Sequence, residues 1–210
     1  MTQRRHHYER AFESYLRERR IPYVAVNEAR KSLLPPEARL RLSGADRGET
    51  ALKSFDFVVY GENSNLLIEI KGRKVPTRKT PGTTGARLDC WVTLDDVASL
   101  RAWERLFGPG YAGTFVFVYQ CSDQPPDGLF QEVIEREGRW YALRAIALGD
   151  YESAMKTRSP RWRTVDLPSE AFARLSRPFS APGPVSPDQP GIVADAGTDL
   201  PALAPIGGES

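Results

Sequence analysis

Apolar side chains fall at Tyr8, Ala11, Phe12, Tyr15 and Leu16, the i, i+3, i+4, i+7, i+8 rhythm of a helix with one buried face. The spacing predicts a helix over 4–20. The cations of Arg17-Glu18-Arg19-Arg20 suit its C-terminus, and Pro22 prevents its continuation. Tyr23-Val24-Ala25-Val26 then reads as a strand, and residues 35–50, rich in Pro and Gly, as a loop. Two short apolar runs follow, at 54–60 and 66–71, on either side of a Gly61-Glu62-Asn63-Ser64-Asn65 turn. A Gly- and Thr-rich loop is expected over 72–88. Thr93-Leu94-Asp95-Asp96 has the form of a capping box with Asp in the acidic place, ahead of Leu94, Val97, Leu100, Trp103 and Leu106/Phe107 at helical spacing. Gly113–Gln120 is rich in β-branched and aromatic residues and reads as a strand. Beyond Pro125-Pro126, residues 129–134 and 139–147 suit a hairpin around Glu137-Gly138. Short helices are expected near 151–155 and 168–174. The order is helix, strand, strand, strand, helix, strand, which describes an α/β sandwich on a small mixed sheet.

The two runs at 54–60 and 66–71 carry charge where a buried strand should have none. Alternation puts Leu66, Ile68 and Ile70 on one face of the second run and Leu67, Glu69 and Lys71 on the other. Asp56 interrupts the first run, and a hairpin would bring it alongside Glu69. Unpaired buried charge is very costly, so these groups must be paired or bind a metal. Two carboxylates and one ammonium at one spot on a sheet are the ingredients of a magnesium-dependent phosphodiesterase site.

Composition narrows the picture further. Apolar residues make up 40% and charged residues 27% of the 210, as in ordinary globular chains. No apolar run approaches a membrane span, and the N-terminus lacks the apolar segment of a signal peptide. Cys90 and Cys121 are the only cysteines and have no metal-type spacing, so two reduced thiols in a cytoplasmic protein are expected. No partnered Ser or Cys motif suggests a nucleophilic triad. Residues 180–210 hold Asp188, Asp195, Asp199 and Glu209 but no Lys or Arg, and Pro, Gly and Ala dominate them. That composition predicts a disordered acidic tail behind a domain at 1–179. The domain then carries 29 basic against 23 acidic side chains, a net +6 that permits a polyanionic partner.

Asp56, followed by Glu69-Ile70-Lys71 at the end of an apolar strand, resembles the PD-(D/E)XK nuclease superfamily. The resemblance covers roughly residues 4–121, and Glu69–Lys71 is the only acidic–x–Lys triplet in the chain. Phe55 stands where the motif's proline would be. His7-Tyr8-Glu9-Arg10-Ala11-Phe12-Glu13 also matches the signature of the uncharacterised HYExAFE family. The resemblance implies a restriction endonuclease-like α/β sandwich and a metal-dependent nuclease, acting on DNA more than RNA, with Mg2+ or Mn2+ as cofactor. It leaves a homodimer open.

It also implies roles for individual residues. Asp56 and Glu69 become metal ligands, with the backbone carbonyl of Ile70. Lys71 becomes a positioning or activating cation. Resolvase-like members add an acid early in the first helix, and Glu9 has the matching offset from the turn at Arg20, with Glu13 the less favoured choice. Gln120, ending its strand near the sheet centre, is a further site residue on the same analogy. Arg73, Lys74, Arg78 and Lys79 follow Lys71 closely, and such cations could lie along phosphates. A second cluster, Lys156, Arg158, Arg161 and Arg163, surrounds Trp162, which could stack on a base or cover the sheet edge; packing on the domain is the favoured expectation. Two alternatives stand beside the nuclease: a catalytically silent nucleic-acid-binding module on the same fold, and a protein-interaction domain. In the latter, Glu69–Lys71 and Asp56–Lys53 would be structural ion pairs.

Overall fold

The computed structural model describes residues 6–26, 41–44, 48–75, 88–122 and 132–179. The expected first helix forms as α1 (His6–Glu18). Arg20 ends it by adopting a left-handed conformation (φ 54°), which lets the Ile21 N–H reach back to the Leu16 carbonyl at 2.9 Å. After β1 (Tyr23–Ala25), β2 (Arg41–Gly44) and β3 (Gly48–Ala51) form a separate two-stranded hairpin inside the stretch expected to be loop. Its strands are too short to give a readable alternation. Next come β4 (Phe57–Val59), β5 (Asn65–Lys74), β6 (Val92–Thr93), α2 (Leu94–Phe107) and β7 (Tyr111–Cys121). β8 (Val133–Arg136) and β9 (Arg139–Ala147) make the expected hairpin, turning on Glu137 and Gly138 with φ of 52° and 71°. Two consecutive left-handed residues are what a two-residue hairpin requires. The chain continues through α3 (Leu148–Ala154), β10 (Lys156–Ser159), β11 (Thr164–Asp166) and α4 (Ser169–Leu175).

The result is a mixed α/β architecture with four helices among the described residues. One mixed sheet has the order β1-β4-β5-β7-β9-β8, in which only β5 and β7 are parallel, and a small sheet has the order β10-β11-β6. β5 stays extended as far as Lys74 because it pairs with β7 along its whole length, from Asn65 opposite Tyr111 to Lys74 opposite Gln120. Arg73 and Lys74 are therefore strand residues and not part of the loop expected from Gly72.

The sheet buries both faces. On one, Phe12 and Leu16 of α1 pack with Phe57, Ile68, Ile70 and Val118. Phe179 enters the same cluster, and its carbonyl accepts a hydrogen bond from the Tyr15 hydroxyl at 2.9 Å. On the other face, Val97 and Leu100 of α2 meet Leu67, Phe115, Phe117 and Tyr151. Burying aromatic side chains at this density supplies most of the drive for folding. No described helix is long and apolar enough to cross a membrane.

One asymmetry positions the site. β4 pairs with β5 only from Leu66 to Ile68. From Glu69 onward β5 runs past the end of β4 and leaves a gap at that margin of the sheet. The N-terminal turns of α1 reach this gap from one face, and the N-terminus of α2 reaches it from the other.

Candidate active site

The gap is a cleft of about 560 Å³, within the usual range for a ligand site. Tyr8 and Glu9 line it from α1; Lys53, Ser54 and Asp56 from the segment before β4; Glu69 through Arg73 from β5; Trp91 from just before β6, Thr93 from β6 and Asp96 from α2. Glu9, Asp56, Glu69, Ile70 and Lys71, far apart in sequence, thus share one wall-to-wall cavity.

Asp56 stands at the end of β4, where β5 loses its neighbour. Its Oδ2 accepts the Ile70 N–H at 2.6 Å, replacing the missing strand partner. Within a strand the N–H and C=O of one residue point to the same side, so the Ile70 carbonyl also faces the gap. Burial, then the Glu69 carboxylate, push the Asp56 carboxyl well above its ordinary range; the Ile70 N–H and Lys71 oppose this, and Glu9 adds to it. The acids are therefore close enough to repel one another in a poorly solvated place.

Lys71 lies between two carboxylates. Its Nζ donates to Glu69 Oε1 at 2.8 Å and sits 2.8 Å from Asp96 Oδ2. Burial alone would lower its pKa, but Glu69 and Asp96 outweigh burial and raise it, so the side chain is an ammonium at neutral pH. Asp96 shows the complementary balance: burial would raise its carboxyl, but Lys71, the Thr93 N–H and Lys53 hold it well below the carboxylate range. Asp96 is also the acidic member of the α2 capping box, taking the Thr93 N–H at 3.0 Å while Thr93 Oγ1 takes the Asp96 N–H at 3.1 Å. Lys53 Nζ reaches Asp96 Oδ1 at 3.0 Å, so Lys53 pairs with Asp96 where a pair with Asp56 was the alternative expectation.

Lys53 and Asp96 are site residues that the sequence did not reveal. The capping box was legible, but only the packing of α2 on β5 puts its acid beside Lys71.

The remaining expected residues divide. Glu13 is turned away from the cleft and pairs with Arg17 at 2.7 Å and with the Tyr23 hydroxyl at 2.8 Å. Gln120 falls on the α1 face of the sheet, opposite Tyr141, and is not among the cleft residues. Its carbonyl accepts the Val75 N–H at 2.9 Å. Arg73 lines the cleft, but its guanidinium lies 4.2 Å over the Trp91 ring and donates to the Gly72 and Trp91 carbonyls, and burial lowers its pKa. Lys74 is exposed at the end of β5. Arg78 and Lys79 lie outside the described residues, as does the 180–210 segment. His7 contacts the Tyr8 ring at 3.9 Å and bonds the Tyr141 hydroxyl at 3.0 Å.

Gly72 explains how α1 comes so close. A Cβ there would lie 2.1 Å from Tyr8 Cδ2, so only glycine lets the Tyr8 ring rest on β5 and bring Glu9 to the cleft.

The donor set suits a hard divalent cation. Magnesium takes one or two carboxylates and keeps several waters. Asp56, Glu69 and the Ile70 carbonyl offer oxygen donors of that kind, and a cation would relieve the repulsion that raises Asp56. Among the described residues no three His, Cys, Asp or Glu side chains form a ready-made metal cage, so water would have to complete the shell.

Fold and site together define a mixed α/β protein with an acidic, lysine-bearing cleft at a sheet margin. Compared with models of known protein families, with curated proteins and with solved structures, the chain matches none of them significantly.

Proposed function

We propose that this protein is a metal-dependent nuclease of the restriction endonuclease-like kind, hydrolysing phosphodiester bonds in nucleic acid, DNA before RNA. The observation that carries the reading is the meeting of Asp56, Glu69 and Lys71 with Glu9 in one open cleft. The element order and the parallel β5–β7 pair at the sheet centre agree with it.

Asp56, Glu69 and the Ile70 carbonyl would hold magnesium or manganese. When bound, such an ion polarises the scissile phosphate and lowers the pKa of a nearby water. Lys71 is held protonated by Glu69 and Asp96. Its role is therefore that of a hydrogen-bond donor and fixed positive charge, placed to offset charge developing on the phosphate. A base role would need a neutral amine, which this environment disfavours. Asp96, itself bonded by Lys53, anchors Lys71 from the α2 side, and Glu9 extends the acidic wall from the α1 side.

The second reading is a catalytically silent nucleic-acid-binding module on the same fold, in which the same cleft holds a backbone without cutting it. One experiment separates the two. The purified chain is incubated with single-stranded, duplex and branched DNA and with RNA, in magnesium, manganese or chelator. Cleavage that needs metal and is lost in Asp56→Asn/Glu69→Gln supports the nuclease. Binding without cleavage supports the silent module, and neither binding nor cleavage removes both.

A further inference from the structure

Trp162 is 69% exposed, more than any other large apolar side chain among the described residues. The sequence favoured its packing on the domain; the structure instead displays it on the turn of the β10–β11 hairpin. A lone exposed aromatic is common, and cations on an edge strand such as β10 discourage unwanted pairing. Three further features make this hairpin more than that.

Its charge is one-sided. Lys156, Arg158, Arg161 and Arg163 occur within eight residues that contain no acid. Lys156 and Arg161 have no carboxylate partner among the described residues, and the Arg161 guanidinium lies 5.3 Å over the Trp162 ring. The hairpin is also held firmly. The Arg163 carbonyl accepts the Leu94 N–H at 2.9 Å, and the Arg163 side chain pairs with Asp95 at 2.8 Å. Both contacts fall on the first turn of α2, the turn that carries Asp96 into the cleft.

The hairpin is continuous with the cleft. Thr164 pairs with Thr93, a cleft residue. Trp162 lies two residues further along the chain, on the turn beside that strand. Trp91, another cleft residue, is flanked by Arg73 at 4.2 Å and by Arg158 at 5.3 Å. Arg158 sits at a β-bulge, where the register shifts between Thr157 and Ser159. Bulges re-aim side chains, and here the guanidinium is brought toward Trp91.

We propose that the β10–β11 hairpin is a stacking platform for an unpaired base of a nucleic acid whose backbone enters the cleft. An indole recognises the face of a base, and in a duplex those faces are covered by their neighbours. The flanking cations serve the phosphates. The platform stands beside the cleft wall through the Thr164–Thr93 pair. The substrate class is thus a strand with a single-stranded region close to the scissile bond: an overhang, a flap or a single strand. This rests on the nuclease reading for the role of the cleft, but the platform has its own readout.

The test is equilibrium binding by fluorescence anisotropy in chelator, with the full chain. The probes are labelled thymidine homopolymer, a blunt duplex, and the same duplex with an overhang. Base–aromatic stacking predicts that Trp162→Ala weakens the homopolymer and overhang by about 5- to 150-fold and leaves the blunt duplex nearly unchanged. Trp162→Phe should recover most of the loss. Asp56→Asn/Glu69→Gln should keep the Trp162-dependent binding. Equal losses on all three probes, or none, overturn the platform while leaving the nuclease intact if wild type still cleaves. Trp162-dependent binding without cleavage in magnesium or manganese keeps the platform and removes the nuclease. Failure to bind any probe removes the platform.

Discussion

Asp56→Asn should stabilise the metal-free protein at neutral pH. Asp56 is half-buried beside Glu69, and burial and that neighbour both push its carboxyl up. Cross-strand neighbours hold their Cβ atoms about 5 Å apart. Two unit charges at that separation repel by about 3 kcal/mol at an effective dielectric of about 20. Asn keeps the shape, and its Oδ1 can still accept the Ile70 N–H that Asp56 takes at 2.6 Å. That bond changes from charge-assisted to neutral, a loss of about 1 kcal/mol. The expected net gain is about 1–2 kcal/mol, or roughly 2–8 °C in Tm for a domain of this size.

A carboxyl raised in the folded state contributes stability that is complete below its unfolded pKa, about 4 for Asp, and is lost as pH rises through the folded value. Wild type and variant should therefore converge in acid and separate toward neutral pH, with wild type the less stable. With Asp56 a ligand as proposed, magnesium should reverse the order, because wild type would gain from the ion and the variant would not. Thermal unfolding by circular dichroism, in chelator and in magnesium across about pH 4–8, reads all of this. A variant less stable than wild type in neutral chelator, or a gap that ignores pH, refutes the repulsion argument.

Lys71→Ala should reduce turnover by about 10²-fold or more while leaving nucleic-acid affinity little changed, as loss of one transition-state donor does. Single-turnover kinetics beside a binding titration would check it, and an equal loss in both would mean Lys71 is a binding residue. Gly72→Ala should destabilise by about 1–3 kcal/mol through overpacking, since its Cβ would sit 2.1 Å from the Tyr8 ring. In a double-mutant cycle with Tyr8→Ala the losses should be less than additive, and simple additivity would disprove the contact. A chain ending after Phe179 should melt as the full chain does and bind nucleic acid equally well or slightly better. One ending at Arg177 should lose about 3–5 kcal/mol, because Phe179 is 1% exposed and receives the Tyr15 hydroxyl bond. Equal melting of the two truncations would show that Phe179 adds nothing.

Local chemistry made much of this molecule legible in its sequence. The apolar stripe of α1, the alternation of Leu66–Lys71, the capping box at Thr93–Asp96 and the Glu137-Gly138 turn depend on contacts within a few residues. So the side of the strand that Glu69 and Lys71 share, and the approach of Asp56, could be read directly. What the tertiary structure decided depends on residues distant in sequence. β5 extends to Lys74 because β7 lies beside it, and this turns Arg73 from a loop cation into a partner of Trp91. Gln120 is carried to the α1 face by the alternation of β7, away from the cleft. Asp96 joins Lys71 only because α2 crosses that end of the sheet, and Lys53 follows because its segment lies against α2. Trp162 stays in water because the small sheet leaves its hairpin turn outside the core. Periodicity tells which side chains share a face, but which faces meet is set by long-range packing, and this cleft is made where three such packings meet.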